Sequence, residues 1–406
     1  MKASLTLVLG VHRSGTSLLT NALVAAGASA GDFKDTRDGD NPDGYAEHPE
    51  VRGFNDRLLA HLGASWDNWG FRASTIDFDA DPLSPWREEA VGILRAAFPG
   101  PGPFVLKDPR IASLLPFWER VIPDAGFQLR RIIILRDPAE VAESQRQRVE
   151  RRLHDFPVIA GSEPMAALWA VTMCEVLAAL ADDATLLVSH ADIIANPEPT
   201  LAAAVAFSGI EANGESIADF ADRGVKPALY RSRADLSAST DGVWMRAARG
   251  LFDDLAHSGT PRLLPVTEAR LAVERQHGLA LLMPGLSAVR ESIARMRAAQ
   301  VERQSQVSAL EQFIWAIAPL AARSAEAHGE SAIERANVVA ESTNLSHRSF
   351  AAAHTVAQLL LSSGRIAETE VWLESIRPRF GQMEAFLNLE KACVLRRSAP
   401  PDSSSA

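Results

Sequence analysis

The feature of this sequence that most constrains its fold is the stretch from Leu5 to Ala25. An apolar run, Leu5 to Leu9, is typical of a buried β-strand, and the leucine-rich residues 17–25 follow the pattern of a helix. Between them lie the small residues of Gly10 to Gly15. A strand, a glycine-rich turn and a helix in this order direct backbone N–H groups and a helix N-terminus at an anion. The stretch therefore predicts a phosphate-binding loop. The alternative is a tight strand-to-helix turn without a ligand.

The loop differs from the ATP-binding type in the residue that follows its second glycine. ATP-binding loops have the pattern G-x-x-x-x-G-K-[ST], with a lysine at that point. Here Thr16 follows Gly15, and the cation of the loop is Arg13, two residues before the glycine. We therefore expect an anionic ligand that is bound by backbone N–H groups, hydroxyls and an arginine.

Three more short apolar segments, at 103–106, 131–135 and 184–189, predict further strands. Strands that are apolar throughout and alternate with helices favour a parallel sheet with helices on both faces. Ligands of such sheets bind beyond the carboxyl ends of the strands, where the loop, residues 107–110 and residues 136–144 all fall. The predicted fold is thus an α/β, P-loop-type parallel sheet, followed by an α-helical C-terminal region.

Composition narrows the classes of partner. The chain of 406 residues has 41 basic and 51 acidic side chains, a net charge of −10 that argues against nucleic-acid or membrane-surface binding. Its two cysteines are far apart, so neither a disulfide framework nor a zinc site is expected, and no other metal site is predicted. No apolar run has the length of a membrane span. These features predict a cytoplasmic protein.

The C-terminal part of the chain has the patterns of helices. Apolar residues recur at 3-4 spacing between Leu286 and Ile317, which predicts a long amphipathic helix or a helix pair within 256–330. We expect residues 286–317 to self-associate or to pack back on the N-terminal domain, 1–255. Residues 331–397 predict a helical hairpin that resembles one tetratricopeptide unit, with a plain hairpin as the alternative. Residues 398–406 are expected to be disordered.

Three segments together resemble one family, the sulfotransferases that use 3′-phosphoadenosine 5′-phosphosulfate (PAPS). Residues 12–17 resemble the 5′-phosphosulfate loop, whose basic residue stands two before the glycine, as Arg13 does. Residues 131–144 resemble the 3′-phosphate motif, a strand-end arginine and a helical serine eight residues later. Residues 188–209 resemble the family's stretch with the pattern EDL…nP…FLG. The resemblance covers roughly residues 1–255.

This resemblance implies a donor site for PAPS and its product 3′-phosphoadenosine 5′-phosphate (PAP). The residues that it assigns to the 5′-phosphosulfate group are Arg13, Ser14, Gly15, Thr16 and Ser17. It assigns the 3′-phosphate to Arg136 and Ser144, whereas a structural ion pair of Arg136 with Asp137 or Asp108 is the alternative. It also implies that Arg13 neutralises charge on the bridging oxygen and that Lys107, at a strand end, lies near the sulfuryl group.

The sequence departs from the family at the catalytic base. Cytosolic members that act on small molecules have a histidine two residues after the strand-end lysine, and this chain has Pro109 there. Residues 41–47 resemble the NP-x-GY-x-E segment of bacterial members, which makes Glu47 the expected general base for an acceptor hydroxyl. The other candidates are His12, His48 and Asp108. A carboxylate that caps the following helix is the structural alternative for Glu47.

Two other classes of function compete with sulfuryl transfer. A P-loop kinase or NTPase needs a lysine after Gly15 and a metal-binding acid at a strand end. A non-catalytic nucleotide-binding scaffold would bind PAP without turnover. The acceptor is not specified by the sequence, and a carbohydrate is expected because bacterial relatives often modify glycans.

Overall fold

The computed structural model describes residues 2–31, 46–151, 161–182, 184–211, 214–225, 242–257, 259–276 and 285–302, and most of 354–398. The chain forms two compact units, residues 1–296 and 297–406. The predictions made for residues 41–45, 303–353 and 399–406 lie outside the described residues.

The first unit contains a five-stranded sheet in the order β2-β1-β3-β4-β5. The strands are β1 Ser4–Leu9, β2 Phe104–Leu106, β3 Gln128–Leu135, β4 Thr185–Ser189 and β5 Arg262–Leu263. The first four run parallel, and β5 pairs antiparallel with β4. The predicted α/β fold is confirmed. The edge strand β5 was not predicted, because two residues carry no periodic pattern.

Helices connect and cover these strands. In chain order they are α1 Thr16–Ala25, α2 Pro49–His61, α3 Ser84–Ala97, α4 Pro109–Ser113, α5 Leu115–Asp124, α6 Pro138–Arg151, α7 Ser162–Ala179, α8 His190–Ala195, α9 Pro197–Ser208, α10 Gly214–Arg223, α11 Val243–Ala256 and α12 Val266–Arg275. A further helix, α13, covers residues 286–302.

Side chains of the central strands alternate between two apolar cores. Leu7 of β1 and Ile133 of β3 are fully buried on the face that is covered by α2, α3, α5, α7 and α11. Their neighbours Val8 and Ile132 are buried on the opposite face with α1 and α9. Each such side chain contributes about 1.5–3 kcal/mol when it leaves water. Burial on both faces explains why the central residues of these strands are apolar in succession.

Helix α7 is the central helix of the larger core, and its side chains are buried almost continuously from Met165 to Leu177. Within this run Glu175 is charged and buried. It accepts hydrogen bonds from Ser74 N at 2.6 Å and from Arg72 Nε at 3.2 Å. These bonds fix the loop that follows α2 and carries Trp66. In the described part of the chain, no helix combines the length and apolar character of a membrane span.

The start of α13 packs against that same loop. Asn68 Nδ2 donates a hydrogen bond to the carbonyl of Arg290 at 3.2 Å. A Cβ atom on Gly70 would lie 2.4 Å from Arg290 N, so the close approach requires glycine. Leu286 and Ile293 are buried. Residues 286–296 therefore belong to the first unit, and self-association through 286–317 stays a prediction.

The described part of the second unit is helical, as predicted for the C-terminal region. Helices α14 Ile366–Phe380 and α15 Glu384–Ser398 pack together. Their shared core contains Leu373, Phe386 and Leu389, together with Ala357 and Leu361. An ion pair joins Arg377 and Glu390 across the two helices at 2.5 Å.

Candidate active site

The parallel register brings four strand ends to one edge of the sheet. Leu9 pairs with Ile133, two residues before the end of β3, and Leu135 pairs with Ser189 at the end of β4. The residues that follow these strands therefore lie side by side. They are the loop 10–15 after β1, Lys107 and Asp108 after β2, Arg136 after β3 and His190 after β4.

The loop after β1 makes a tight turn with two residues in the left-handed region of backbone conformation. Ser14 N donates a hydrogen bond to the carbonyl of Val11 at 3.1 Å, and Arg13 and Gly15 have φ angles of 71° and 93°. A positive φ is uncommon for a residue with a side chain and costs of order 1–3 kcal/mol. Helix α1 begins directly after the loop, at Thr16, and the first N–H groups of a helix have no partner within the helix.

Two buried residues of this region, Ser14 and Thr16, carry hydroxyl groups. The hydroxyl of Ser14 is buried and makes no hydrogen bond within the described part of the chain. Buried hydroxyls are almost always paired, so this one fits an acceptor that a bound anion supplies. Thr16 is also buried, at the start of α1. The loop therefore presents hydroxyl and amide donors together.

Gly15 is in close contact with His190 at the start of α8. A Cβ atom on Gly15 would lie 2.3 Å from His190 Cδ2. His190 is buried, and burial and then the charge of Arg136 lower its pKa to about 3. A neutral ring thus packs against the loop and sets its position.

Gly15→Ala is expected to destabilise the protein more than the matched substitution Gly100→Ala. Both glycines have a left-handed φ, 93° and 99°, but a Cβ on Gly100 meets no atom within 4 Å. Overpacking of this kind typically adds about 1–3 kcal/mol to the loss. Urea unfolding of both variants measures the difference. Equal losses of unfolding free energy would show that His190 does not constrain the loop.

The loop is hydrogen-bonded to the two residues predicted to bind a 3′-phosphate. Arg13 Nε donates to Ser144 Oγ of α6 at 3.1 Å, and Arg136 Nη1 donates to the carbonyl of Arg13 at 2.6 Å. Arg136 also forms an ion pair with Glu140 at 3.3 Å, and its own carbonyl accepts from Trp169 Nε1 at 3.1 Å. Arg136 and Ser144 are buried. The structure thus brings Arg13, Arg136 and Ser144 into one network.

Lys107 and Glu47 form a shielded ion pair at the neighbouring strand end. Lys107 Nζ lies 2.9 Å from Glu47 Oε1, and their side chains are 2% and 10% exposed. Arg110 Nη1 approaches the other oxygen of Glu47 at 3.9 Å. Burial lowers the pKa of Lys107, and the charge of Glu47 offsets part of that shift. Glu47 is thus held beside Lys107, one residue before the N-cap of α2, His48.

Asp108 has a structural place beside this pair. Its Oδ1 accepts from the backbone N of Arg110, which caps α4, and its Oδ2 accepts from Asn55 Nδ2, both at 3.0 Å. Asn55 Oδ1 in turn accepts from Trp118 Nε1 at 3.0 Å. Asp108 therefore caps α4 with one carboxylate oxygen and, through Asn55, holds the end of β2 against α2 and α5 with the other.

The two remaining candidates for a base differ in their surroundings. The ring of His48 is buried and lies 6.2 Å from that of Phe98, in the larger apolar core. The ring of His12 packs 4.6 Å from Trp66. Burial lowers the pKa of His12 well below its usual value, and the cations Arg110, Arg148, Lys107 and Arg13 lower it further. His12 therefore lies next to the cations of the site.

Sequence reasoning missed several groups that shape this edge. They are His190 against the loop, Trp169 on the carbonyl of Arg136, and Asn55 on Asp108. His190 directly follows a predicted strand, so the sequence alone could have placed it at the carboxyl edge of the sheet. Trp169 and Asn55 lie within helices, and no local pattern identifies which helical side chain reaches a distant strand end.

A mostly parallel sheet whose first strand leads through a glycine-containing loop into a helix is typical of nucleotide-binding α/β proteins. Residues 6–214 match the model of a family described as the sulfotransferase family. Because this match covers just over half of the 406 residues, the chain belongs to the sulfotransferase family. No curated protein matches the chain significantly.

Solved structures with detectable similarity include two sulfotransferase domains. One is from the curacin biosynthetic pathway, with 19% identity, a TM-score of 0.33, and coverage of 53% of this chain and 76% of that chain. The other is from the olefin synthase of Synechococcus PCC 7002, with 16% identity, a TM-score of 0.33, and coverage of 68% and 95%. The family assignment rests on the family match.

Proposed function

We propose that this sulfotransferase moves a sulfuryl group from PAPS to an acceptor hydroxyl and releases PAP. The observation that carries the proposal is the contact between two motifs that are 131 residues apart, Arg13 Nε to Ser144 Oγ at 3.1 Å. PAPS has a phosphosulfate at one end and a 3′-phosphate at the other. A single ligand with two anionic groups accounts for one network that contains both predicted anion-binding motifs.

The loop and α1 would hold the 5′-phosphosulfate end. The buried hydroxyl of Ser14 and the N–H groups from Gly15 to Ser17 provide donors, to which the hydroxyls of Thr16 and Ser17 add. Arg136 and Ser144 would hold the 3′-phosphate, since guanidinium groups bind phosphate in a bidentate manner. Arg136 would then exchange its contact with Glu140 for the phosphate.

The transfer step needs charge stabilisation and one proton acceptor. The bond between sulfur and the bridging oxygen breaks, and its electron pair stays on the 5′-phosphate of PAP. The acceptor oxygen forms the new bond to sulfur, and its proton moves to the carboxylate of Glu47. Arg13 would neutralise charge on the bridging oxygen, and Lys107 would stabilise the sulfuryl group. The Lys107–Glu47 contact of 2.9 Å supports the placement of the base beside that group.

The acceptor class and the location of the reaction extend this proposal. A carbohydrate hydroxyl is the first class of acceptor to test, and the cytoplasm is the proposed compartment. The reaction as written needs no metal, because arginine and lysine provide the positive charge that Mg²⁺ provides in phosphoryl transfer.

We expect label from ³⁵S-PAPS to enter a component of fractionated cell extract, and to do so equally with and without a chelator. Mass spectrometry of the labelled fraction identifies the acceptor. Loss of transfer in the chelator, together with binding of ATP, would replace this proposal with a kinase or NTPase. Binding of PAP without transfer to any fraction would indicate a scaffold.

A further inference from the structure

The proposed donor contacts leave the imidazole of His12 without a role, although it lies inside the phosphate-binding loop. Its ring packs at 4.6 Å and 54° against the ring of Trp66. Its Nε2 atom is buried and has no hydrogen-bond partner within the described residues. Buried nitrogens in folded proteins are almost always paired. An unpaired one inside a ligand-binding loop indicates a partner that arrives with the ligand.

The charges around His12 decide the kind of contact that it can make. Four positive charges act electrostatically on the ring: those of Arg13 in its own loop, Lys107 after β2, Arg110 in α4 and Arg148 in α6. The carboxylate of Glu47 is paired with Lys107, 2.9 Å away. Burial and then these cations keep the pKa of His12 well below its usual value, so the ring is neutral near pH 7. A neutral imidazole still carries one N–H group that can donate.

We propose that His12 is a catalytic residue that donates a hydrogen bond from Nε2–H to an oxygen of the sulfuryl group during transfer. This inference rests on the proposed function. The anion that the surrounding cations attract accepts this hydrogen bond, and Trp66 holds the ring in place. His12 keeps its proton throughout: the bond from sulfur to the 5′-phosphate breaks, the bond to the acceptor oxygen forms, and Glu47 takes the acceptor's proton. Its role is that of a donor in an oxyanion hole.

Two variants of the full chain separate this role from its alternatives. His12→Leu removes the donor and keeps an apolar side chain against Trp66. His12→Gln keeps an N–H group near the position of Nε2 but cannot act as a base at neutral pH. For each variant, the rate of label transfer from ³⁵S-PAPS into the extract fraction is measured beside the affinity for PAP by calorimetry. PAP lacks the sulfuryl group but keeps both phosphates, so its affinity reports on the integrity of the whole nucleotide site and not on a contact with the sulfuryl group.

We expect His12→Leu to lower the transfer rate about 10²–10³-fold, as loss of an oxyanion-hole donor does, with little change in PAP affinity. His12→Gln should recover most of that loss. The inference is overturned if His12→Gln is as slow as His12→Leu, if PAP affinity falls in parallel with the rate, or if His12→Leu is unchanged. A wild-type chain that neither binds PAP nor transfers label would remove the proposed function itself, whereas an active wild type with any of these three results removes only the role of His12.

Discussion

Glu47→Gln is expected to lower the rate of sulfuryl transfer about 10²–10⁴-fold, the usual effect of removing a general base, while the affinity for PAP barely changes. Glutamine has the shape of glutamate but cannot accept the acceptor's proton. The side chain lies 2.9 Å from Lys107, beside the proposed position of the sulfuryl group, and its ion pairs with Lys107 and Arg110 involve neither residue assigned to the 3′-phosphate. Label transfer from PAPS measures the rate, and calorimetry with PAP measures the affinity.

The same substitution should also change how the rate depends on pH. In the proposed mechanism Lys107 would stabilise the sulfuryl group only while it is protonated, and burial already lowers its pKa. The charge of Glu47 raises that pKa, so its removal should lower it further. The residual activity of Glu47→Gln is therefore expected to fall at a lower alkaline pH than that of the wild type. If the rates of the variant and the wild type fall at the same alkaline pH, Lys107 does not act as a cation in the reaction.

Asp56→Asn is the matched control for Glu47→Gln. Asp56 Oδ1 accepts a hydrogen bond from Arg110 Nε at 2.6 Å, so its removal takes one carboxylate from the same group of cations. Its side chain is about half exposed, and its contact is with Arg110 rather than Lys107. We expect Asp56→Asn to transfer sulfuryl groups at nearly the wild-type rate. A nearly normal rate in Glu47→Gln, combined with a large loss in His48→Ala or Asp108→Asn, would assign the base elsewhere.

Arg136→Ala is expected to weaken the binding of PAP strongly and that of AMP far less. A hydrogen bond to a charged group contributes on the order of 1.5–3 kcal/mol, which corresponds to roughly tenfold to more than a hundredfold in affinity. AMP lacks the 3′-phosphate and so lacks the partner of Arg136. Calorimetric titration of both nucleotides into wild type and variant gives the comparison. Equal affinities of the wild type for PAP and AMP would exclude the 3′-phosphate site.

Two further variants separate phosphate binding from support of the loop. Arg136 also donates to the carbonyl of Arg13 at 2.6 Å, so a parallel loss of AMP binding in Arg136→Ala would report damage to the loop. Arg136→Lys keeps the charge but lacks the planar donor pair, and we expect intermediate affinity for PAP. Glu140→Gln removes the carboxylate that pairs with Arg136 at 3.3 Å and should strengthen PAP binding slightly.

The sheet could be predicted from the sequence because its strands are buried on both faces. Leu7 to Leu9 and Ile132 to Leu135 are apolar without interruption, which is a signal within the chain itself. The edge strand β5 lacks such a signal, since it consists only of Arg262 and Leu263, which form two antiparallel pairs with β4. Its existence depends on the chain returning to the sheet, which no short stretch of sequence encodes.

The site could be predicted only as far as strand ends define it. The sequence places Lys107 and Arg136 after parallel strands, and so at one edge of the sheet. It does not specify that Lys107 meets Glu47, 60 residues earlier, because that contact depends on how α2 packs over the larger core. Likewise the fit of Gly15 against His190 arises from tertiary packing. Local patterns indicate which residues lie at the strand ends, where an anion would bind. Tertiary packing decides which of these residues already contact another side chain of the protein.

The hydrogen bond from Arg13 to Ser144 has a consequence for the cost of binding PAPS. Immobilising a long side chain on binding typically costs about 0.5–1.5 kcal/mol. Arg13 and Ser144 are already held together at 3.1 Å, and Arg136 already anchors the backbone of Arg13. If PAPS binds at these side chains as proposed, its binding would exchange one hydrogen-bond acceptor for another, and most of the ordering cost would already have been met when the chain folded.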